Sequence, residues 1–307
     1  MMDALWISVA MTVVGAATPL LLAALGELVV EKSGVLNLGV EGMMLIGAVT
    51  GFAVTSTTGA SFLGLIAAVI AAVAASMIFA YLTLTLAANQ VATGLALTIF
   101  GVGLSSMIGE GFVGTTVPVF GSPFPAVLAD SPVLRIVFGH SPLVYFSLIM
   151  TVAVAWFLKR SRAGLVLRAV GENDHSAHSI GYSVTGVRYA AVAFGGAMAG
   201  LAGCYYSMVQ TPMWAEELTA GRGWIALALV VFSAWKPWRL LLGAYLFGGV
   251  MTFELQAKAA GINVVPPEFL AALPYLATVV VLALISMRRS VGAAAPACLG
   301  RPFKPAA

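Results

Sequence analysis

Glu27, Glu31, Lys32, Asn37 and Glu41 crowd into one short stretch of a chain that is otherwise almost wholly apolar. Carboxylate and amide groups in that setting accept and donate hydrogen bonds, and ionisable side chains at membrane depth are functional candidates by default. Gly34, Gly39 and Gly42 interrupt the helix that the neighbouring apolar residues would build. Polar, broken backbone in a membrane is tolerated only where it is buried in protein or lines a cavity. Asn89, Gln90 and Thr98 add amide and hydroxyl groups further along the chain. Other chemistries lack their parts. Cys204 and Cys298 give neither a disulfide framework nor metal-site spacing. A nucleophile in Gly103-Leu104-Ser105 would need a base within reach, whereas His140, His175 and His178 all fall in expected loops. No Gly-Lys pair occurs, so the chain has no P-loop to cradle nucleotide phosphates. Neither a cofactor nor a nucleic-acid partner is expected.

The scaffold that must position these groups is set by composition. The chain has 307 residues, 61% hydrophobic and 9% charged, with a mean hydropathy of +1.01. Soluble domains carry about 25% charged residues, so this inventory cannot cover a water-exposed surface. Apolar runs of about 20 residues, rich in Gly and Ala, indicate spanning helices and not barrel strands. The expected fold is an all-α, polytopic transmembrane bundle over 1–289, with about nine spanning segments, some broken or re-entrant, and lipid around it. A cleavable signal peptide is not expected, because Met1 to Leu25 lacks a basic leading region.

In order, the segments read as Trp6–Leu25 with a kink at Pro19, then 36–54, 61–88 and 89–108. The stretch 26–47 either crosses or folds back. Residues 109–142, rich in proline and glycine, form an external excursion with one short interfacial helix. A crossing over 143–158 leads into 159–188, the one substantial basic loop, with Lys159, Arg160, Arg162, Arg168 and Arg188. Short loops of that kind stay in the cytoplasm. The chain then goes out over 189–210 on a small-residue face suited to close helix packing. Trp214, Glu216, Glu217 and Arg222 lie at the outer mouth, and 223–235 is too short for a vertical crossing. Segments 240–257 and 269–287 complete the count, and 290–307 reads as a disordered cytoplasmic tail.

Within the basic loop, Asn173 or Asp174 can cap a short helix and Gly181 can end it in the left-handed conformation. Ser183 or Thr185 can start the next membrane helix. About two turns of helix are unstable alone, so a partner surface would explain the element; an ordinary capped linker is the plainer alternative.

Here the residues resemble a known family. GENDHSAHSIGYSVTGVRY, starting at Gly171, is similar to the coupling region of membrane permeases of ATP-binding-cassette importers, in the branch of branched-chain amino acid, ribose and nucleoside permeases. EKSGVLNLGVEGMMLIGA, starting at Glu31, resembles the signature of bacterial nucleoside-type permeases. Asn89-Gln90-Val91, FGGAMAGLAGCYYSM and TAGRGWIALALVVF resemble further blocks of that group. Thr98 departs from the family's frequent Asn, and 109–142 has no matching block.

The resemblance implies a bacterial inner-membrane permease, the shorter of two non-identical ones, that is not itself an enzyme. A separate ATP-binding subunit would grip the loop through Gly171, Glu172, Asn173, Asp174, Ile180 and Gly181. An extracytoplasmic substrate-binding protein would dock at Trp214, Glu216, Glu217 and Arg222. Asn37, Glu41, Asn89, Gln90 and Thr98 are the expected substrate-pathway residues, suited to a small solute such as a nucleoside; sugars or branched-chain amino acids are alternatives. The same polar groups can instead satisfy one another, as buried polar groups usually do. An ion-coupled secondary transporter would also use broken helices, but would leave the capped loop unexplained.

Overall fold

The structure, a computed structural model, describes residues 2–125, 131–259, 276, 279–280, 283 and 295–304. Eleven α-helices are described: α1 (Met2–Lys32), α2 (Val40–Thr58), α3 (Ser61–Ala80), α4 (Gln90–Gly109), α5 (Pro132–Phe138), α6 (Pro142–Arg160), α7 (Arg162–Glu172), α8 (Asp174–Ser179), α9 (Val184–Tyr205), α10 (Arg222–Phe232) and α11 (Pro237–Ala259). Among the described residues, β pairing is confined to two isolated bridges, Val113 with Trp214 and Thr116 with Met213.

Six described helical stretches are long and apolar enough to cross a membrane: Trp6–Lys32, Val40–Thr58, Ser61–Thr85, Gln90–Phe112, Pro142–Arg160 and Val184–Gln210. The expected count of about nine full crossings is therefore not reproduced among the described residues. α10 has 11 residues, about 16 Å of helix against a hydrocarbon core of about 30 Å, so it is a half-crossing. The segment 269–287 lies outside the described residues.

The polar stretch is also arranged differently from the sequence expectation. α1 continues unbroken through Pro19 and Gly26 to Lys32. The break is confined to Ser33–Gly39, where Gly34 has φ +90°. Gly42 lies inside α2 and serves packing.

α2 is the central element, flanked by α3, α4 and α9. Its approach to α4 brings Gly42 against Gly101, and its approach to α9 brings Gly47 against Gly200. A Cβ on Gly101 would stand 2.5 Å from the Gly42 Cα, and one on Gly47 would stand 2.5 Å from the Gly200 Cα. No side chain fits there, and backbones this close gain the dispersion contacts that hold helices together where both helix and lipid are apolar. The small-residue face of α9 is thus a packing face, as the sequence suggests. Around these crossings sits the core, including Leu20, Leu21, Leu25, Met43, Met44 and Phe247.

Residues 295–304 depart from the disordered tail expected over 290–307. Cys298 is buried, its N–H donating to the Gly171 carbonyl at 2.9 Å, and the Gly300 N–H donates to the Gly34 carbonyl at 3.1 Å. Leu299 packs on the main core and Phe303 against Val170, Ala177 and Val184. The segment finds backbone partners at the α1–α2 break and at the end of α7, a signal invisible in its own composition.

One substitution placed at two sites tests this packing. Gly47→Ala should destabilise by about 1–3 kcal/mol through overpacking. Gly103→Ala, where a Cβ meets nothing within 4 Å, should stabilise by about 0.5–1 kcal/mol through helix propensity. Melting of the purified protein in detergent should move down for the first and up or not at all for the second.

Candidate functional site

A helix break in an apolar interior leaves N–H and C=O groups that water cannot reach, and each must find a partner. The Ser33–Gly39 link finds them in side chains from three directions. From α1, Glu27 accepts from the Asn37 N–H at 3.2 Å and from the Asn37 side-chain amide at 3.4 Å. From α4, Gln90 Oε1 accepts from the Leu36 N–H at 2.8 Å, and the Thr98 hydroxyl donates to the Leu38 carbonyl at 3.0 Å. Within the link, Asn37 Oδ1 accepts from the Gly39 N–H at 3.0 Å.

Glu41 sits in the first turn of α2 and is 5% exposed. One carboxylate oxygen accepts from the Thr219 hydroxyl at 2.5 Å and the Gly221 N–H at 2.9 Å; the other accepts from the Gly223 N–H at 2.5 Å. Gly221 and Gly223 bracket the start of α10. The carboxylate therefore stands at the N-termini of two helices, α2 and α10, where helix dipoles and open N–H groups favour negative charge. Three donors satisfy it, and Lys32, the cation nearest to it in the sequence, is not among them; Lys32 instead lies 5.8 Å from the Trp235 ring centroid. At the far end of α10, Trp235 Nε1 donates to Glu31 at 2.6 Å. α10 is thus fixed at its N-terminus by Glu41 and just past its C-terminus by Glu31. Left-handed, non-glycine residues flank it on both sides: Ala220 before, Ala234 and Trp235 after. Such backbone costs of order 1 kcal/mol per residue and persists only where its surroundings over-determine it.

Of the five residues expected in a substrate pathway, the structure brings Asn37, Gln90 and Thr98 together on the link and places Glu41 two residues beyond it. All four are buried. Asn89 is apart: it is exposed and its side chain caps α4 by accepting from the Ala92 N–H at 2.9 Å. Among the buried polar atoms, Gln90 Nε2 has no partner within the described residues.

The basic loop folds as its capping residues require. Asn173 caps α8 by accepting from the Ser176 N–H at 2.9 Å, Gly181 turns out of it at φ +94°, and Ser183 caps α9. Glu172, Asn173, Ile180 and Gly181 are exposed, whereas Gly171 and Asp174 are buried. Gly171 packs so tightly on the Lys32 carbonyl that a Cβ would not fit. Asp174 forms a buried ion pair with Arg188 at 3.1 Å. Sequence reasoning misses Arg188, Glu31, Trp235 and the tail as site residues. An arginine one turn into an apolar, small-residue helix is the available signal for the first, since such a cation needs a counter-charge.

Of the residues expected to dock a binding protein, Glu216 and Glu217 are exposed. Trp214 is not: it is 2% exposed, packed at the close approach to Gly109 and beside Phe52. Its large apolar ring is worth more in that core than on a docking surface. Arg222 lies over the Tyr206 ring at 4.7 Å and donates to the Leu218 carbonyl at 3.3 Å.

An all-helical, multi-pass chain with a broken segment stapled inside and a short, doubly capped helix outside has the build of a membrane transport subunit. The chain belongs to the family of branched-chain amino acid transport system permease components, whose profile matches residues 9–286. It is 40% identical, over 93% of its length and 94% of the relative's, to a Haloferax volcanii protein provisionally named as a glucose ABC transporter permease. It is 32% identical to a guanosine ABC transporter permease of Bacillus subtilis and 29% identical to a nucleoside ABC transporter permease of Lactococcus lactis, in each case over 87% of this chain and 88% of the relative. No solved structure matches the chain.

The Glu41 clamp makes a graded prediction. Glu41→Gln turns an acceptor into a donor facing backbone N–H groups, and hydrogen bonds to a charged group contribute about 1.5–3 kcal/mol each. The variant should lose most thermal stability and transport together, while Thr219→Val, which removes one of three donors, should lose less of both. Melting and uptake measured side by side on the two variants check the order.

Proposed function

We propose that the chain is the membrane-spanning half of an ATP-driven importer for a nucleoside. One observation carries this reading: α8, capped at both ends and standing on the basic side of the bundle, is tied through buried contacts to the broken link inside it. A short helix with no stability of its own, held this firmly, is suited to receive force from a partner. The ATP-binding subunit is that partner, contacting the exposed Glu172, Asn173, Ile180 and Gly181. ATP binding closes the paired ATPases, displaces α8 and switches the pathway between faces, which requires that the two states bind solute differently. The assembly is a multi-pass complex of the bacterial inner membrane with a second, non-identical permease. An extracytoplasmic binding protein docks near Glu216, Glu217 and Arg222 and delivers the solute.

In this reading Asn37, Glu41, Gln90 and Thr98 shape the pathway wall by holding the link, with Asn89 ordering the head of α4. Gln90 Nε2 is the donor left over for a hydroxyl or a base edge. The nucleoside assignment is supported by the signature at Glu31–Ala48 and by the two nucleoside relatives. A sugar is the second reading, favoured by the relative named for glucose. Both solutes present a ring of hydroxyls, so the base is what distinguishes them.

Reconstituted with its ATP-binding subunit and binding protein, the permease should take up labelled guanosine in an ATP-dependent way. Uptake of glucose in its place would select the second reading, and uptake driven by an ion gradient without ATP would overturn both. In the same vesicles Gly181→Val, which forces a β-branched residue into a left-handed turn, should lower solute moved per ATP hydrolysed while the permease remains in the membrane. Unchanged stoichiometry would remove the loop from the coupling path.

A further inference from the structure

We propose that Arg188 is a positioning residue that locks α8 to the Ser33–Gly39 link, so that a displacement of α8 is delivered to the link as the motion of one body. This rests on α8 being the helix that the ATP-binding subunit contacts.

Arg188 is 0% exposed, and each nitrogen of its guanidinium faces a different segment. Nη2 donates to Asp174 at 3.1 Å, at the start of α8. Nε donates to the Ser33 carbonyl at 3.1 Å, at the start of the link. Nη1 reaches the Arg301 carbonyl at 3.5 Å, in the folded tail. Three parts of the chain that are remote in sequence thus share one planar cation. Its fixed fork of donors suits that task, and a lysine ammonium on a flexible stem cannot reproduce it.

The surrounding backbone closes the same circuit. Gly171, at the end of α7, lies against the Lys32 carbonyl at the end of α1. The tail bridges both sides, bonding Gly171 through Cys298 and Gly34 through Gly300. Phe303 then packs over α8, its ring centroid 5.5 Å from those of His175 and His178. Pulling α8 away from Arg188 would leave a buried charge without its counter-ion. Drawing Arg188 off the link would strip the buried Ser33 carbonyl of its charged donor. Moving α8, Arg188 and the link together costs least. On its other side the link meets α4 through two neutral hydrogen bonds, with Gln90 and Thr98, each individually weaker than a bond to a charged group. A pull on α8 therefore shifts the link relative to α4 before it separates α8 from the link.

The test uses the full chain assembled with its ATP-binding subunit. Cys204→Ser and Cys298→Ser remove the native thiols, and Leu36→Cys places a reporter in the link. The rate of maleimide labelling is read with and without ATP plus vanadate. With Arg188 intact, nucleotide trapping should change that rate about tenfold, within the span by which coupling residues shift equilibria. In Arg188→Lys the ATP-binding subunit should still bind and hydrolyse ATP, but the change at position 36 should fall below about twofold. The pair Arg188→Met with Asp174→Leu removes both charges, leaves none unpaired, and covers the case in which the lysine variant does not insert; it should be equally unresponsive. A wild-type response in either variant overturns the proposal, including when melting alone is lowered, because Arg188 would then serve only stability. So does a wild-type complex that binds the ATP-binding subunit and shows no change at position 36. Failure of that subunit to bind the wild-type chain removes the functional reading itself, and this proposal with it.

Discussion

The structure depends on one constraint: seven residues without helix, Ser33–Gly39, buried where water cannot serve their backbone. Each free N–H or C=O left there would cost several kcal/mol. The answer is a set of polar staples from Glu27 on α1, from Gln90 and Thr98 on α4, and from Asn37 within the link itself. Once the link is fixed, much else follows. α2 must begin deep in the protein, close to α4 and α9, and its starting turn must share a carboxylate with the half-helix α10. Glycine at Gly42, Gly47, Gly101 and Gly200 is then required by the distance between backbones and not by any need for flexibility.

Functional sites in membrane proteins are usually sought among buried polar residues, and here those residues are engaged in holding backbone and neighbouring side chains. Asn37, Glu41, Gln90 and Thr98 each bond backbone, and Asn37 and Glu41 also the side chains of Glu27 and Thr219. Of these four, only Gln90 keeps a buried donor without a partner among the described residues. The polar cluster fixes the conformation of a segment, and a conformation held by many small contacts can have two arrangements of similar free energy. A fully apolar, continuous α1–α2 hairpin would be simpler to insert and would have only one arrangement to offer.

Much of this is legible in the sequence. Composition alone gives a multi-pass helical protein, and the caps of α8 and α9 are readable because Asn173, Gly181 and Ser183 act through local backbone geometry. The polar stretch announces itself by its residues. What is not legible depends on distant partners. Nothing near Glu41 says that Thr219, Gly221 and Gly223 will cover it, and Glu31 gives no hint of Trp235. Trp214 looks like an interfacial anchor until Phe52 and the Gly109 backbone close around it. The tail is the clearest miss: alanine, proline and glycine suggest disorder. Its order comes from distant partners, the carbonyls of Gly34 in the helix break and Gly171 at the end of α7 and the packing of Leu299 and Phe303. Local rules read local structure; the pairing of segments needs the fold.

The folded tail also gives assembly a direction in time. Cys298 meets the backbone of Glu172 across 126 residues of chain, so α8 leaves the ribosome long before the segment that covers it. Until residues 295–304 have been made, Arg188 has two of its three partners, and His175 and His178 lack the ring of Phe303. The packing around α8 is completed last. A chain that stops short of this segment would insert its helices and still leave the packing around α8 and Arg188 unfinished.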